Sequence, residues 1–165
     1  HSRRVSSLSM SIALQLDPGY DILTLGAAAT FHDLGKYYTP IEILQKPGRL
    51  TPEEFSIIKL HPQASWQLLM ESHGEIIAEI ALQHHERMDG SGYPRGLHAD
   101  AIRMDARIIA VADVFDAITS KRSYNNPVSY EQALSIMEQE RQLYDSDVLH
   151  ALHILVREKR LSISI

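Results

Sequence analysis

The chain has 165 residues, of which 44% are hydrophobic and 22% are charged, and its formal net charge is −5. These values predict one compact domain over residues 1–165, and the acidic balance argues against polymeric DNA or RNA as a partner. Cysteine is absent, so disulfides and thiolate metal ligands are excluded, and any metal would depend on histidines and carboxylates. No apolar run approaches the roughly 20 residues of a membrane span, and no signal-peptide pattern opens the chain. We therefore expect a cytoplasmic location and, because the chain starts at His1, a fragment of a longer protein.

Hydrophobic periodicity is helical almost throughout and predicts an all-α bundle of about seven helices. These are expected over residues 1–16, 20–36, 51–71, from Gly74 to His84 or His85, 101–120, from the capping box Ser129 to Gln132, and after Asp145. Pro62 is expected to bend the third of them, because proline cannot donate the helical hydrogen bond. Residues 86–100 are predicted to form one long loop between two core helices.

Polar side chains stand on the apolar faces of four predicted helices. Asp113, for example, continues the stripe formed by Ala106 and Ile109. Taken singly, each such residue is most simply a core group that a hydrogen bond satisfies. An unpaired ionised carboxylate would cost several kcal/mol there, however, and together the set favours a bound cation. The set is His32, Asp33, His61, His84, His85 and Asp113.

Imidazole and carboxylate ligands suit Mn, Fe or similar divalent metals. A shared carboxylate such as Asp33 can bridge two ions about 3.5 to 4 Å apart. Side chains at successive helical positions diverge by about 100°, so His84 and His85 can reach different ions more easily than they can chelate one.

Three segments of the chain together resemble the HD-GYP domain, a group of the HD metal-dependent phosphohydrolases. They are HDLGK at 32–36, HHERMDGSGYP at 84–94 and ADVFDAITSKR at 112–122, and the likeness extends to HSRRV at 1–5. The resemblance implies an all-helical domain that hydrolyses the bacterial second messenger cyclic di-GMP to pGpG, GMP or both. It also implies two or three divalent ions, Fe or Mn first, with Mg, Ni or Zn as alternatives. The implied ligands are His1, His32, Asp33, His61, His84, His85 and Asp113.

The resemblance further implies a mechanism in which a hydroxide that bridges the metals attacks phosphorus in line. Asp33 and Lys36 would be catalytic, and Lys36, Tyr93 and Arg122 would bind the substrate. Without the resemblance, Lys36 and Arg122 are ordinary cations at helix ends and Tyr93 packs the loop. Arg122 follows Asp113 by nine residues, or about 900° of helix, so the helix must end near Ser120 if both are to face one site.

Two positions depart from the family pattern. The family usually has a second basic residue after the arginine, where this chain has Asn125, which should weaken binding of a doubly charged dinucleotide or broaden the substrate. Some members also carry a glutamate one turn before the first histidine, and this sequence begins at His1, so the number of metals stays open between two and three.

Two alternatives to the phosphodiesterase remain open at this point. The domain could be a weakly active cyclic di-GMP sensor or docking module, with the Gly-Tyr-Pro loop contacting a diguanylate cyclase (GGDEF) domain. It could also be an HD hydrolase of another nucleotide. An upstream sensory or receiver domain is expected in the longer protein.

Overall fold

The computed structural model describes residues 1–120 and 127–161, which are all-helical and without strands, so the predicted fold class is confirmed. Within these residues eight α-helices have seven or more residues, one more than the approximate number predicted. The helices are α1 (Ser2–Leu16), α2 (Ile22–Phe31), the four-residue α3 (Ile41–Leu44), α4 (Pro52–Ile58), α5 (His61–Ser72), α6 (Glu75–Gln83), α7 (Met104–Thr119), α8 (Tyr130–Gln139) and α9 (Ser146–Arg157).

Several helix starts follow from capping side chains that the sequence makes visible. Thr51 and Ser129 each form a complete capping box, with Glu54 and Gln132 respectively, at the start of α4 and α8. Asp145 accepts hydrogen bonds from two backbone N–H groups at the start of α9. The predicted starts of these helices are confirmed.

The predicted extension of the second helix to Lys36 is wrong, because α2 ends at Phe31 and a 3-10 turn follows over Leu34–Tyr38. Gly35 lies directly against the backbone of α5, and its N–H donates to the Ser65 hydroxyl at 2.8 Å. This tertiary bond replaces the helical one, so the segment turns toward α5.

The predicted helix over 51–71 is two helices that meet at Lys59 and Leu60. Pro62 is the cause, since its ring nitrogen cannot donate to the carbonyl of Ile58, four residues earlier. The chain therefore breaks where a bend was predicted.

The long loop is confirmed, although it extends to Arg103. A 3-10 turn at Ala99–Ala101 precedes α7, which starts at Met104 and not at 101. α7 ends at Thr119 with Ser120 in an extended conformation, so the predicted end of this helix near Ser120 is confirmed. Arg122 and Asn125 themselves lie outside the described residues.

The core forms where α1 packs against α2, α7 and α9. Its largest fully buried side chains include Leu8, Ile12, Leu25, Ile109 and Phe115. A smaller cluster of Leu69, Ala78 and Ala81 holds α5 against α6. None of the helices in the described ranges is long and apolar enough to cross a membrane.

Candidate metal centre

Seven side chains from α1, α2, α5, α6 and α7 or their ends converge on one region. They are the residues that the sequence predicted as metal ligands: His1, His32, Asp33, His61, His84, His85 and Asp113. His32 and His84 are the C-cap residues that directly follow α2 and α6, and His61 is the first residue of α5. The fold therefore brings together residues that are far apart in the sequence.

Asp33 lies at the centre of this arrangement. Its Oδ1 is 3.2 Å from His61 Nε2 and 3.8 Å from His84 Nε2. Its Oδ2 is 3.5 Å from His32 Nε2 and 3.6 Å from His1 Nε2. Each carboxylate oxygen thus faces a different pair of imidazoles, so Asp33 could contribute to metal binding on both sides.

The potential ligand atoms form two groups that share Asp33. One contains Asp33, His61, His84 and His85, and the other contains His1, His32 and Asp33. His84 and His85 therefore belong to the same group of potential ligand atoms, and their binding to different ions stays a prediction. α6 ends at Gln83, and both histidines lie in the following turn, where His84 keeps a right-handed helical backbone conformation.

Three of the histidines are oriented by the backbone of the helices that precede them. The Nδ1 atoms of His32, His61 and His84 lie 2.7, 2.7 and 2.6 Å from the carbonyl oxygens of Ala29, Ile58 and Ala81. A carbonyl can only accept, so each Nδ1 carries the proton and each Nε2 presents a lone pair to the site. Carbonyls in the last turn of a helix lack a helical partner, and here they fix the imidazoles instead.

Pro62 contributes to the orientation of His61. Since proline has no N–H, the Ile58 carbonyl receives no helical hydrogen bond from position 62 and is free to accept from His61 Nδ1. The break between α4 and α5 thus supplies a support for one proposed ligand.

On the α1 side of the centre, Asp116 orients His1. His1 Nδ1 is 2.8 Å from Asp116 Oδ2, and Arg4 Nε donates to Asp116 Oδ1 at 2.6 Å. His1 Nε2 then lies 3.2 Å from Asp113 Oδ1. Asp116 was missed in the sequence, although its place one turn after Asp113 was a visible signal.

Burial and charge set the ionisation of the acidic residues. Burial alone raises the pKa of Asp33, but the nearby His1 and His61 side chains and the charge of Lys36 outweigh it and hold the pKa well below its ordinary value. Burial acts against ionisation of Asp113 too, yet the hydrogen bond with His1 holds its pKa at about 2. Hydrogen bonds with Asp113, Asp116 and Asp33 raise the pKa of His1 to about 11. These interactions favour ionised Asp33 and Asp113 and a protonated His1 near neutral pH.

The imidazoles of His84 and His85, on the α6 side of the centre, are held in the neutral form. Burial, together with the nearby His32, lowers the pKa of His84 to about 3. Burial and the adjacent His84 also lower the pKa of His85 well below its ordinary value. Neutral imidazole is the form that binds metals, so these residues need no deprotonation.

Two buried polar atoms support the fit to a cation. Among the described residues, His32 Nε2 and Asp33 Oδ1 have no hydrogen-bond partner. Such atoms are costly unless something binds them, and both face the shared site. A donor set of imidazole nitrogens and carboxylate oxygens suits divalent first-row metals.

The predicted substrate-side residues have different surroundings. Lys36 Nζ donates to Asp33 Oδ2 at 2.6 Å, which places the cation at the edge of the centre. The Tyr93 ring stacks on His85, with ring centroids 4.7 Å apart. Arg122 lies outside the described residues.

Two glutamates that were not singled out in the sequence, the buried Glu86 and the half-buried Glu79, fix the long loop. Glu86 accepts hydrogen bonds from the N–H groups of Arg95 and Leu97 at 2.8 and 2.9 Å. Glu79 accepts from the Arg95 guanidinium, at 3.0 and 3.1 Å, and from Trp66 Nε1. These bonds tie the loop to α5 and α6.

The all-helical fold and the cluster of histidine and aspartate side chains are those of the HD class. The family model described as HD domain matches residues 1–148, and the chain belongs to this family. HD phosphohydrolases bind divalent metals, in agreement with the cluster of histidine and aspartate ligands.

Several curated relatives of the chain are named as cyclic dinucleotide phosphodiesterases. It is 45% identical over 163 residues to a protein of Thermotoga maritima named cyclic di-GMP phosphodiesterase, covering 96% of this chain and 44% of that one. It is 42% identical to the cyclic di-GMP phosphodiesterase response regulator RpfG of Xanthomonas campestris, covering 90% of this chain and 41% of the relative. A Vibrio cholerae protein named 3'3'-cGAMP-specific phosphodiesterase 1 is also 42% identical, over 85% of this chain and 33% of its own length. The chain thus spans less than half the length of these relatives.

Solved structures support the fold. An HDG"Y"P protein, Bd1817, from Bdellovibrio bacteriovorus matches with a TM-score of 0.76 at 22% identity, over 95% of this chain and 51% of that one. A cyclic GMP-AMP phosphodiesterase of Vibrio cholerae matches with a TM-score of 0.72 at 18% identity, over 97% and 44%. The predicted resemblance to HD-GYP proteins is confirmed.

Proposed function

We propose that this chain is a metal-dependent phosphodiesterase that hydrolyses cyclic di-GMP to pGpG, GMP or both. The observation that carries the proposal is Asp33, whose two oxygens face separate imidazole groups and whose carboxylate contacts Lys36. One carboxylate shared by two ligand groups, beside a cation, is suited to hydrolysis of a phosphate diester. The names of the relatives at 45% and 42% identity supply the substrate class.

The metals would be two or three divalent ions, with Fe or Mn first and Mg, Ni or Zn as alternatives. They would be held by His1, His32, Asp33, His61, His84, His85 and Asp113. When bound, such ions lower the pKa of water and withdraw charge from phosphate oxygens.

The protein's own contribution is to orient the ligands and the phosphate. Backbone carbonyls keep Nδ1 of His32, His61 and His84 protonated, so that Nε2 is available for binding. Lys36 supplies a positive charge beside Asp33 that would stabilise the negative charge of the phosphate in the transition state. Arg122 and Tyr93 are proposed as further substrate contacts, Arg122 through a bidentate hydrogen bond to a phosphate.

Cyclic GMP-AMP is a second candidate substrate, which the 42% identical relative named for it favours. Asn125, in place of the family's second basic residue, is a further reason to test a broader substrate range. Both cyclic dinucleotides have two phosphates and at least one guanine, so the metal centre does not distinguish them.

Turnover of cyclic di-GMP and cyclic GMP-AMP by Mn- or Fe-loaded protein tests the proposal, with Asp33→Ala as the control. We expect hydrolysis by the wild type and loss of at least about 100-fold in the variant, because even indirect supports of a metal ligand cost 10- to 100-fold. Tight binding without hydrolysis would favour the sensor, and neither binding nor hydrolysis would favour another nucleotide. Chromatography of the products gives the ratio of pGpG to GMP.

The chain is further proposed to act within a longer signalling protein with an upstream sensory or receiver domain. The relative named as a response regulator, of which this chain covers 41%, supports this idea. A GGDEF-domain partner is proposed to contact the Gly-Tyr-Pro loop, where Ser91, Pro94 and Arg95 are exposed. Calorimetric titration of a diguanylate cyclase domain, with Arg95→Ala as the variant, tests this contact.

A further inference from the structure

The His85 ring is supported differently from the other histidines of the α2, α5 and α6 side. His32, His61 and His84 each have Nδ1 bonded to a backbone carbonyl three residues earlier. Among the described residues, no group forms a hydrogen bond with the His85 ring, although a ligand atom of this ring belongs to the group around Asp33. Without a hydrogen bond to fix the ring, rotation about its side-chain bonds must be limited by packing.

Tyr93 provides this packing. Its ring is stacked on the His85 ring, with centroids 4.7 Å apart and planes 29° from parallel. The N–H of Tyr93 also donates to the carbonyl of His85 at 3.2 Å, so the two residues are joined through the backbone as well. Rotation of the imidazole out of its present plane would require the tyrosine ring to move.

The position of Tyr93 is fixed from two further directions. The Phe55 ring meets it edge to face at 6.3 Å, and Lys59 Nζ lies 5.4 Å from its centroid. Gly92 lies against the backbone of residues 85–87, where a Cβ would overlap the chain. Beyond the tyrosine, Glu86 binds the N–H groups of Arg95 and Leu97. The ring therefore cannot leave His85 without loss of several contacts.

We propose that Tyr93 is a positioning residue of the metal centre. Its ring holds the imidazole of His85 in the orientation for metal binding, as backbone carbonyls do for His32, His61 and His84. This inference rests on the proposed function, because it assumes that the Asp33 group binds a metal. It assigns the tyrosine of the loop to the metal site through its ring, whereas a substrate contact would use its hydroxyl.

Metal affinity distinguishes a role of the Tyr93 ring in positioning His85 from a role of the Tyr93 hydroxyl in contacting the substrate. Tyr93→Phe keeps the ring and removes the hydroxyl, and Tyr93→Leu and Tyr93→Met keep apolar volume without a flat ring. We expect Tyr93→Phe to bind Mn²⁺ as the wild type does, and Tyr93→Leu and Tyr93→Met to bind about 10- to 100-fold more weakly. Dissociation constants come from calorimetric titration of metal-free protein, and bound Mn is counted by elemental analysis after dialysis.

Tyr20→Leu is the matched control for general loss of stability. Tyr20 also packs against the core and its hydroxyl bonds Asp105 at 2.9 Å, at the other end of α2 from the metal centre. Tyr20→Leu should lower the melting temperature without a change in Mn²⁺ affinity. His85→Ala should weaken Mn²⁺ binding at least as much as Tyr93→Leu, and saturating Mn²⁺ should restore most of the hydrolysis by Tyr93→Leu.

Either of two results would overturn the inference: Tyr93→Leu and Tyr93→Met bind Mn²⁺ as tightly as the wild type, or Tyr93→Phe loses as much affinity as they do. If Tyr93→Leu does not fold, Tyr93→Met with Tyr93→Phe decides the question. Failure of the proposed function is a separate result, in which the wild type binds Mn²⁺ more tightly than Asp33→Ala but the loaded protein hydrolyses neither cyclic di-GMP nor cyclic GMP-AMP.

Discussion

At the scale of single residues, the proposed ligands depend on a second set of groups that orient them. His32, His61 and His84 depend on backbone carbonyls, His1 depends on Asp116, and His85 depends on the Tyr93 ring. Lys36 is the exception, because it contacts the proposed bridging carboxylate while remaining partly exposed. Variants of these residues should therefore separate metal binding from catalysis.

Lys36→Gln should lower kcat for cyclic di-GMP by about 10²- to 10³-fold with little change in metal content, because it removes a charge and not a proposed ligand. Steady-state kinetics and elemental analysis measure the two effects. Lys46→Gln is the control, since Lys46 pairs with Glu54 and not with Asp33, and it should retain normal kcat. Equal loss of Mn from Lys36→Gln would mean that the lysine supports the metal centre instead.

Asp116→Asn should destabilise the metal-free protein by about 2 kcal/mol near pH 5 to 6, based on 1.36 kcal/mol for each pKa unit. Burial acts to raise the pKa of Asp116, but hydrogen bonds with His1 and Arg4 lower it to about 2 from an ordinary 3.8. A lowered carboxyl pKa stabilises the fold above 3.8, and this contribution is lost as the pH falls toward 2. The raised pKa of His1, about 11 against 6.5, stabilises the fold below 6.5, and that contribution is lost toward pH 11.

Urea unfolding of wild type and Asp116→Asn in the presence of a chelator measures this difference. The gap in unfolding free energy should be largest near pH 5 to 6, and it should narrow at pH 2 to 3 and again as the pH rises toward 11. Asp147→Asn, at an exposed position, should show a much smaller gap. A gap that is constant across this range would contradict the proposed ion pairs.

At the scale of helices and turns, the proposed ligands cluster where helices end. α2 and α6 end next to His32 and His84, and the break between α4 and α5 comes just before His61. A helix end offers carbonyls without helical partners, and a following turn can direct a side chain away from the helical face. The ends of helices therefore position the proposed ligands of this site.

This feature also explains how much could be predicted from the sequence. The capped starts at Thr51, Ser129 and Asp145 were predictable because the side chain that forms the cap is local. The end of α2 was not, because Gly35 leaves the helix to bond Ser65, thirty residues away. The pattern of polar residues on apolar helix faces predicted six of the proposed ligands without reference to a family. His1 was predicted only from the resemblance to HD-GYP domains. The supporting roles of Asp116 and Tyr93 depend on tertiary contacts, which the sequence does not show.

Gly35→Ala should destabilise the protein by about 1 to 3 kcal/mol, because the new Cβ would overlap the His61 carbonyl and the Ser65 N–H. The turn must then move away from α5 and carry Asp33 and Lys36 with it, so Mn²⁺ affinity should fall as well. Thermal unfolding and Mn²⁺ titration measure the two effects.

Gly19→Ala is the matched control, since its Cβ would meet Asp17 Oδ1 at an ordinary 3.4 Å. We expect a change in stability of no more than about 0.5 kcal/mol and normal metal binding. Normal Mn²⁺ affinity in Gly35→Ala would mean that the close contact with α5 does not position the metal centre.

At the scale of the whole molecule, the centre receives side chains from two neighbouring hydrophobic clusters. α1, α2 and α7 share the main core, whereas α5 is held to α6 by the smaller cluster around Leu69. His1, Asp33 and Asp113 face the centre from the first group, and His61 faces it from the second. A metal bound by both groups would cross-link them, so its binding free energy should add to the stability of the folded protein.

Mn²⁺ at 100 times its dissociation constant should therefore raise the unfolding free energy by about 2.7 kcal/mol, and the melting temperature by about 5 to 10 °C for a chain of this size. Differential scanning calorimetry of metal-free and loaded protein measures the shift. Asp33→Ala should abolish it, because this carboxylate is common to both ligand groups. His153→Ala should retain it, because His153 pairs with Glu138 on another face of the molecule. A shift of equal size in Asp33→Ala would place the stabilising Mn²⁺ outside this centre.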